Sequence, residues 1–552
     1  VSDAIITGIG KIENQPAVLV LIDHLYLGGA IGAVAGEKIA LAMELAIARR
    51  LPLIAVCSGG GTRTQHGMLA LVQLAKLASM AARLHRVGVP FVSVLTHPTT
   101  GGVYVGLANQ ADIIWAEPGA RIGLSGARGP SASETDGRPH SAEFLFARGM
   151  VDEVVDRTRL RPQLACLLDL LAERGTPRHP GPLAPLTGGA LPGWDAAALA
   201  RHPARPTSLD YIHRLMPELI ELHGDRIGGD DPAMICGIGR LDGVTVAVIG
   251  QERGHGDDAI ARSGGRVGPA GFRKAMRLLR LASHLELPLI TFIDSPGAMT
   301  GIEAEADGIG MALAQTLRLM SVFPLPIVVA VIGEGGSAGA MAIGVGDRVL
   351  MQERAIYAMS GFEEAGGQLH PAGGRSSEAP SSFQLTARDC LRLGVVDVVV
   401  PEPNPGAHVD ADLAAAQLRR ALQIALVELS GVGPRRLLDD RARRIRSMGL
   451  TTPEGREAAR HEWQELQELQ RNLSRSLGDL RDDLRGRWEH RSRGLAISRA
   501  TLPARLHLPR PDLGELADRL SAIRATNAPA PPSQAEAAQS DEPACSAESD
   551  SE

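Results

Sequence analysis

Residues 326–350 read Pro326-Ile-Val-Val-Ala-Val-Ile-Gly-Glu-Gly-Gly-Ser-Ala-Gly-Ala-Met-Ala-Ile-Gly-Val-Gly-Asp-Arg-Val-Leu350. The β-branched run Ile327 to Ile332 predicts a buried strand. It breaks at Gly333, Gly335, Gly336 and Gly339, and the small residues that follow suit a helix. A strand–turn–helix joint of this kind gathers backbone N–H groups near a helix N-terminus, where a phosphate or a developing oxyanion can sit. No Walker lysine follows, so a P-loop is not indicated. Taken alone, the stretch fits a plain tight turn in an α/β sheet equally well.

It does not stand alone. Pro90-Phe-Val-Ser-Val-Leu-Thr-His-Pro-Thr-Thr-Gly-Gly-Val lies 236 residues before its counterpart at Pro326. The strand that begins at Pro52 and ends in Ser58-Gly-Gly-Gly61 lies 236 residues before the one that begins at Pro288 and ends in Asp294-Ser-Pro-Gly297. Asp112 and Asp347 are 235 apart, and Gly149-Met-Val-Asp echoes Gly394-Val-Val-Asp at 245. Four landmarks in one order mark a duplicated domain rather than a solenoid.

Length and composition agree. The 552 residues suffice for two to four domains. A formal charge of −6 gives no general argument for nucleic acid or a membrane surface, and no apolar run is long enough for a membrane span. The five cysteines lack Cys-x-x-Cys spacing, which argues against a zinc ribbon or disulfide framework and suits a reducing cytoplasm.

In chain order, a hairpin forms around Glu13-Asn-Gln-Pro16, and helices are expected over 37–50 and 67–84, with strands at 53–57, 91–95 and 113–115. Residues 123–142 read as a loop, and 141–171 as helix apart from a strand at 151–155. The pattern is α/β, with glycine turns at one end of the strands. The expected organisation is a first domain over 1–174, a Pro/Gly-rich linker over 175–204, a second domain over 205–430, a helical extension over 431–524 and a disordered tail over 525–552. Thr207 or Ser208 caps the first helix of the second domain. Residues 365–382 form an irregular patch. The arginines at 435, 436, 441, 443, 444 and 446 read as a solvated helix face, with contact to a phosphate as the alternative.

The first half resembles the β subunit of the bacterial acetyl-CoA carboxylase carboxyltransferase. The matching text is Asp3-Ala-Ile-Ile-Thr-Gly, Leu27-Gly-Gly-Ala-Ile-Gly, Gly60-Gly-Thr-Arg63 and Leu95-Thr-His-Pro-Thr-Thr-Gly-Gly-Val103. The second half resembles the α subunit through Arg205-Pro-Thr-Ser-Leu-Asp, Gly271-Phe-Arg-Lys-Ala-Met, Asp294-Ser-Pro-Gly-Ala and 333–350. The resemblance spans about residues 3–428 and reads as a β–α fusion. It implies two crotonase-like ββα superhelix domains in tandem.

The implied reaction moves a carboxyl group from carboxybiotin, carried on a separate protein, to acetyl-CoA, giving malonyl-CoA. Both reacting groups develop oxygen-centred negative charge, so the site needs two pairs of prealigned backbone donors. By resemblance, Gly60 and Gly61 hold the thioester oxygen, and Gly339 and Ala340 the biotin ureido oxygen. Gly28, Gly29, Thr100, Gly101, Gly102, Gly297, Gly335 and Gly336 shape the walls. Arg63 faces either a CoA phosphate or a carboxylate of the fold, and both readings stay open. A Gly339→Val change is expected to abolish transfer and leave folding intact. Biotin carboxyl carrier protein and biotin carboxylase are the implied partners, in a homodimer or larger assembly in the cytoplasm. No metal is expected, because the family's four-cysteine ribbon is missing. Three departures fall on the biotin side: Arg253 in Gln251-Glu-Arg-Gly254, Met299-Thr300 after Ala298, and the text from Ser360. They leave open transfer to or decarboxylation of another acyl-CoA such as propionyl-CoA; a non-catalytic acyl-CoA-binding subunit is a further alternative, which the intact glycine pairs count against but do not alone exclude.

Overall fold

The structure is a computed structural model that describes residues 3–124, 140–172, 174–189, 191–359, 385–448 and 453–496. Most of the 123–142 loop, the 365–382 patch and the 525–552 tail lie outside the described residues. Residues up to 458 form one compact unit, and the remainder forms a second.

The first repeat starts from the hairpin β1 (Ile5–Ile12) and β2 (Gln15–Ile22). Parallel strands β3 (Leu53–Gly59), β4 (Phe91–Thr100), β5 (Ile113–Ala116) and β7 (Glu153–Val154) extend the sheet from β2, and the short β6 (Ile122–Gly123) pairs with β4. Helices α1 (Ala33–Arg49), α2 (Met68–Arg86), α3 (Gly101–Gly106), α4 (Ala142–Ala147) and α5 (Arg157–Ala172) connect the strands. The β3 and β4 strands are buried on both faces, which is why they read as continuous apolar runs without alternation.

The second repeat has β8 (Ile220–Glu221), the hairpin β9 (Met234–Leu241) and β10 (Val244–Gln251), and parallel strands β11 (Leu289–Ser295), β12 (Ile327–Gly336), β13 (Arg348–Gln352) and β15 (Val398–Val400). The short β14 (Ile356–Ala358) pairs with β12, as β6 does with β4. The duplication extends to irregularities. The β3/β4 register shifts between Cys57 and Gly59, and the β11/β12 register shifts between Ile293 and Ser295. Asp112 Oδ2 accepts the Phe91 N–H at 2.8 Å, and Asp347 Oδ2 accepts the Ile327 N–H at 2.8 Å.

The helices up to residue 448 are α6 (Gly193–Ala200), α7 (Ser208–Leu215), α8 (Gly256–Ala261), α9 (Pro269–His284), α10 (Ile302–Ala306), α11 (Ile309–Val322), α12 (Ser337–Ala342), α13 (Ala387–Leu393), α14 (Ala411–Leu429) and α15 (Pro434–Ser447). Thr207 caps α7, with its N–H donating to Asp210 at 2.9 Å. The repeats share a core in which Trp115 and Leu167 of the first belong with Met234, Phe272 and Leu289 of the second.

Two expectations are corrected. The 175–204 stretch is more than a spacer. Its α6 buries Ala196, Ala197 and Ala200 against Ile356 and Leu385, and its Thr187 and Gly188 N–H groups donate to Glu353. Alanines at helical spacing outweigh the surrounding prolines. The arginines of α15 are not all solvated. Arg441 is fully buried on Asp347, and Arg444 reaches Asp397 at 3.0 Å, whereas Arg435, Arg436 and Arg443 are exposed. The last described helix, α16 (Pro453–Ala496), leads into the second unit, where Trp463, Leu466, Leu473, Leu477 and Leu480 are exposed.

Candidate active site

Each repeat ends its two central strands in stacked turns at their carboxyl ends. In the first, Gly28 and Gly29 (φ +67° and +64°) meet the end of β3. A Cβ on Gly29 would come within 2.3 Å of the Ser58 carbonyl oxygen, so only glycine permits the approach. The Gly28 carbonyl accepts the Gly60 N–H at 2.8 Å, and the Ile31 N–H donates to the Gly61 carbonyl at 2.9 Å. Buried Thr100 donates its hydroxyl to the Gly59 carbonyl at 3.4 Å, while Gly101 (φ +55°) turns the chain into α3.

The donors differ from those expected. The Gly60 N–H is already bonded to Gly28, so it cannot also serve a substrate oxygen. The Gly61 N–H has no protein partner among the described residues. A Cβ built on Gly61 would lie 3.7 Å from the Gly102 nitrogen, so the two residues are close neighbours in the turn. Gly102 is the second residue of α3, in the first turn, where N–H groups have no intrahelical acceptor. Arg63 faces the fold. Its guanidinium pairs with both oxygens of Asp3 at 3.1 Å and reaches the Ala30 carbonyl at 3.4 Å.

The second repeat repeats the geometry 236 residues on. Gly297 has φ +143° where Gly61 has +122°, and Ser337 has φ +56° where Gly101 has +55°. Ser337 is a non-glycine residue in the left-handed region, a conformation normally left to glycine. Gly339 and Ala340 are buried, and a Cβ on Gly339 would press to 2.4 Å on the Ala298 nitrogen. The carbonyl of Gly339 accepts the Gln251 side chain at 2.8 Å. Gly339 is thus a packing glycine, and a Gly339→Val change would disrupt the backbone rather than spare the fold. The half-buried Ser337 and exposed Ala338 are the residues at the open start of α12. Gly336 admits the Pro296 carbonyl, and Gly335 admits the Tyr357 ring.

Beneath this turn lies a charged cluster that sequence reading touched only at Arg253. Glu334 of β12 accepts Arg201 at 2.6 and 3.0 Å and Arg253 at 2.8 Å. Arg253 Nε lies 3.4 Å from Asp294, whose carboxylate accepts the Glu334 N–H at 3.0 Å. Burial raises the Asp294 carboxyl above its ordinary range, and Arg253 opposes the shift. Burial also works against the Glu334 charge, but Arg201 and Arg253 together hold its pKa below the ordinary range. A Cβ on Gly333 would strike Asp294 at 2.3 Å, so this glycine makes room for the carboxylate. Met299 is partly exposed, with its sulfur near Gly268. Among the described residues no cluster of His, Cys, Asp or Glu could hold a metal ion, and no helix is long and apolar enough to cross a membrane.

Two stacked glycine turns on a duplicated ββα frame suit a protein of the carboxyltransferase class. The comparisons agree: residues 1–135 match the carboxyl transferase domain family, and 187–449 match the acetyl co-enzyme A carboxylase carboxyltransferase-like family. The fold is also that of transcarboxylase 12S, with a TM-score of 0.62 at 19% identity over 77% of this chain and 82% of that one. A single-chain long-chain acyl-CoA carboxylase gives a TM-score of 0.59 at 20% identity, over 78% of this chain and 42% of that one.

Among curated proteins, the acetyl-coenzyme A carboxylase carboxyl transferase subunits beta/alpha of Parafrankia sp. is 41% identical over 489 residues, covering 82% of this chain and 79% of that protein. Its counterpart from Salinispora tropica is 40% identical over 83% of this chain and 84% of its own length. The chain belongs to the family of fused acetyl-CoA carboxylase carboxyl transferase beta/alpha subunits.

Proposed function

We propose that this chain transfers a carboxyl group from carboxybiotin, borne by a separate carrier protein, to acetyl-CoA, producing malonyl-CoA in the cytoplasm. The observation that carries the reading is the pair of glycine turns, one per repeat, superimposed on a 236-residue duplication. Two such turns suit a reaction with two oxygen-centred charges, whereas a simple acyl-CoA binder would need one.

The first turn takes the acyl-CoA. A Cβ on Gly61 would come within 3.7 Å of the Gly102 nitrogen, and a thioester oxygen placed between the two residues would accept from both N–H groups. These donors stabilise the enolate form of the thioester without reorganising. The second turn takes the biotin ureido oxygen, with the Ala338 N–H as the counterpart of Gly102, in place of Gly339 and Ala340. Carboxybiotin supplies the activated carboxyl group, and this chain supplies position, donors and exclusion of water. Arg253, held by Glu334 and Asp294, fixes the floor beneath that turn.

In this reading the two turns of one reaction centre come from different chains. The starts of β3 and β4 share a crevice with Leu285 and Leu287, just before β11, so the repeats of one chain meet at the amino-terminal ends of their strands. The carboxyl ends, which carry the turns, are left for a second chain, and this supports a homodimer or larger assembly. Biotin carboxyl carrier protein and biotin carboxylase are the partners this activity requires.

Alanine at Gly61 and at Gly60 tests the donor assignment. Gly61→Ala keeps the N–H but adds a Cβ beside it at a backbone φ of +122°, so it should lower kcat/KM for acetyl-CoA by blocking the oxygen's approach. A Cβ on Gly60 would meet only the Gly28 carbonyl at 3.4 Å, so Gly60→Ala should retain most of the activity. Equal losses in two folded variants would remove the assignment.

A further inference from the structure

Where α2 of the first repeat ends beside α9 of the second, a cavity of about 720 Å³ opens near the amino-terminal ends of β4 and β5. This is the end of the strands opposite the glycine turns. Both helices turn cations into it. His85 and Arg86 end α2, while Arg277, Arg280 and His284 follow one another on α9 at three- and four-residue spacing and so share a face. Arg226 enters from the loop before β9, with φ +62°.

These cations fall into two sets. Arg226 and Arg277 are fixed by the fold. Both pair with the buried carboxylate of Asp152, which also accepts the Ile114 N–H at 2.8 Å. Arg226 donates further to the Gly149 carbonyl at 2.9 Å, and Arg277 to the His223 and Gly224 carbonyls at 2.6 Å. Arg86 and Arg280 are exposed and make no hydrogen bond or ion pair among the described residues. The remaining carboxylate, Asp112, is shared by two imidazoles, with His85 Nε2 at 3.1 Å and His284 Nε2 at 3.5 Å. Four guanidinium groups thus face a cavity whose two nearby carboxylates are already engaged. Packing does not require the excess positive charge, which raises the free energy of the folded chain until an anion enters.

We propose that this cavity binds a phosphate-bearing small anion of about nucleotide size, held by Arg86 and Arg280 at its mouth above the preset Arg226 and Arg277. The volume lies within the usual range for small-molecule sites, and the planar guanidinium fork matches phosphate oxygens. Tyr104 borders the cavity from α3, the helix that begins with Gly101 and Gly102. A bound anion would therefore bridge the two repeats and touch the helix that carries one of the proposed donors. The proposal stands independently of the carboxyl-transfer reading.

Calorimetric titration of the full chain with pyrophosphate, ADP and CoA, each alone, tests it. Pyrophosphate or ADP should bind once per chain, more weakly as salt is raised. A double Arg86→Glu, Arg280→Glu variant should fold and melt as the parent does, since neither side chain has a partner to lose. Its affinity for pyrophosphate or ADP should fall at least about tenfold. Tighter binding of ADP than of pyrophosphate would assign a nucleoside contact as well, and equal binding would assign the phosphates alone. CoA binding unaffected by the double variant, alongside lost ADP binding, would place this site apart from the acyl-CoA site. No binding of pyrophosphate or ADP at millimolar concentration would overturn the proposal. So would an affinity that the double variant leaves unchanged.

Discussion

Replacing Arg441 with methionine isolates the contact that fastens α15 to the second repeat. Its guanidinium is fully buried and makes five close hydrogen bonds. Two go to Asp347, at 2.9 and 2.7 Å, and three to the carbonyls of Met320, Phe323 and Leu325, at 2.9, 2.7 and 3.1 Å. Methionine approximates the stem and removes the head. Asp347 then keeps only its bond from the Ile327 N–H, and its charge remains buried without a hydrogen-bonded cation. Breaking a buried pair from one side costs about 3–5 kcal/mol, of which much is the stranded charge. Adding Asp347→Asn removes that charge, so the double variant should recover part of the loss, with a coupling of about 1–3 kcal/mol. Hydrogen exchange read by mass spectrometry is a suitable assay, because it resolves α15 and the 320–325 turn from the rest of the chain. Both segments should lose protection in Arg441→Met and partly regain it in the double variant. Unchanged protection in the single variant would refute the reasoning, as would purely additive effects.

Further expectations concern other parts of the molecule. Arg253→Met should destabilise the turn at 333–337 by about 2–4 kcal/mol and depress transfer, whereas Arg253→Lys should keep most of both, since a cation between Glu334 and Asp294 is what the cluster needs. Thermal melts beside transfer rates separate the two. The Asp112 contact raises the His85 pKa above its ordinary value, with burial opposing. Its stabilising contribution is therefore fully present below about pH 6.5 and is lost as pH rises through the folded-state value. The melting-temperature difference between the parent and His85→Gln should shrink over that rise, and a difference independent of pH would contradict the assignment. Burial pushes the thiols of Cys57, Cys236 and Cys390 up to about 12, so they should resist alkylation at pH 8 until the chain unfolds. Peptide mapping after iodoacetamide treatment checks this.

Much of the frame was legible because strands and glycine turns are local signals. Pro52, Pro90, Pro288 and Pro326 punctuate four strands, and the common 236-residue offset carries through to the positions of both bulges. What sequence could not show was which of several adjacent backbone groups remain free. Gly60 and Gly61 look alike as text, yet the Gly28 carbonyl, thirty-two residues away, takes the N–H of one and not the other. Gly339 belongs to the same motif as Ala338, but a tertiary contact with Ala298 makes it a packing position. Arg63 pairs with Asp3, sixty residues earlier, and Arg441 with Asp347. Such choices depend on approach between distant segments, which leaves no period in the sequence. The signal that could have found the Ala338 assignment was present: aligning the repeats at 236 places Gly102 on Ala338 and Gly61 on Gly297.

Transfer of labelled carboxylate from carboxybiotin to acetyl-CoA by the purified chain, with propionyl-CoA run in parallel, tests the central claim most directly. The account predicts labelled malonyl-CoA, formed faster than methylmalonyl-CoA. Preference for propionyl-CoA would contradict the substrate assignment, and no transfer to either by folded protein that binds CoA would contradict the proposed activity.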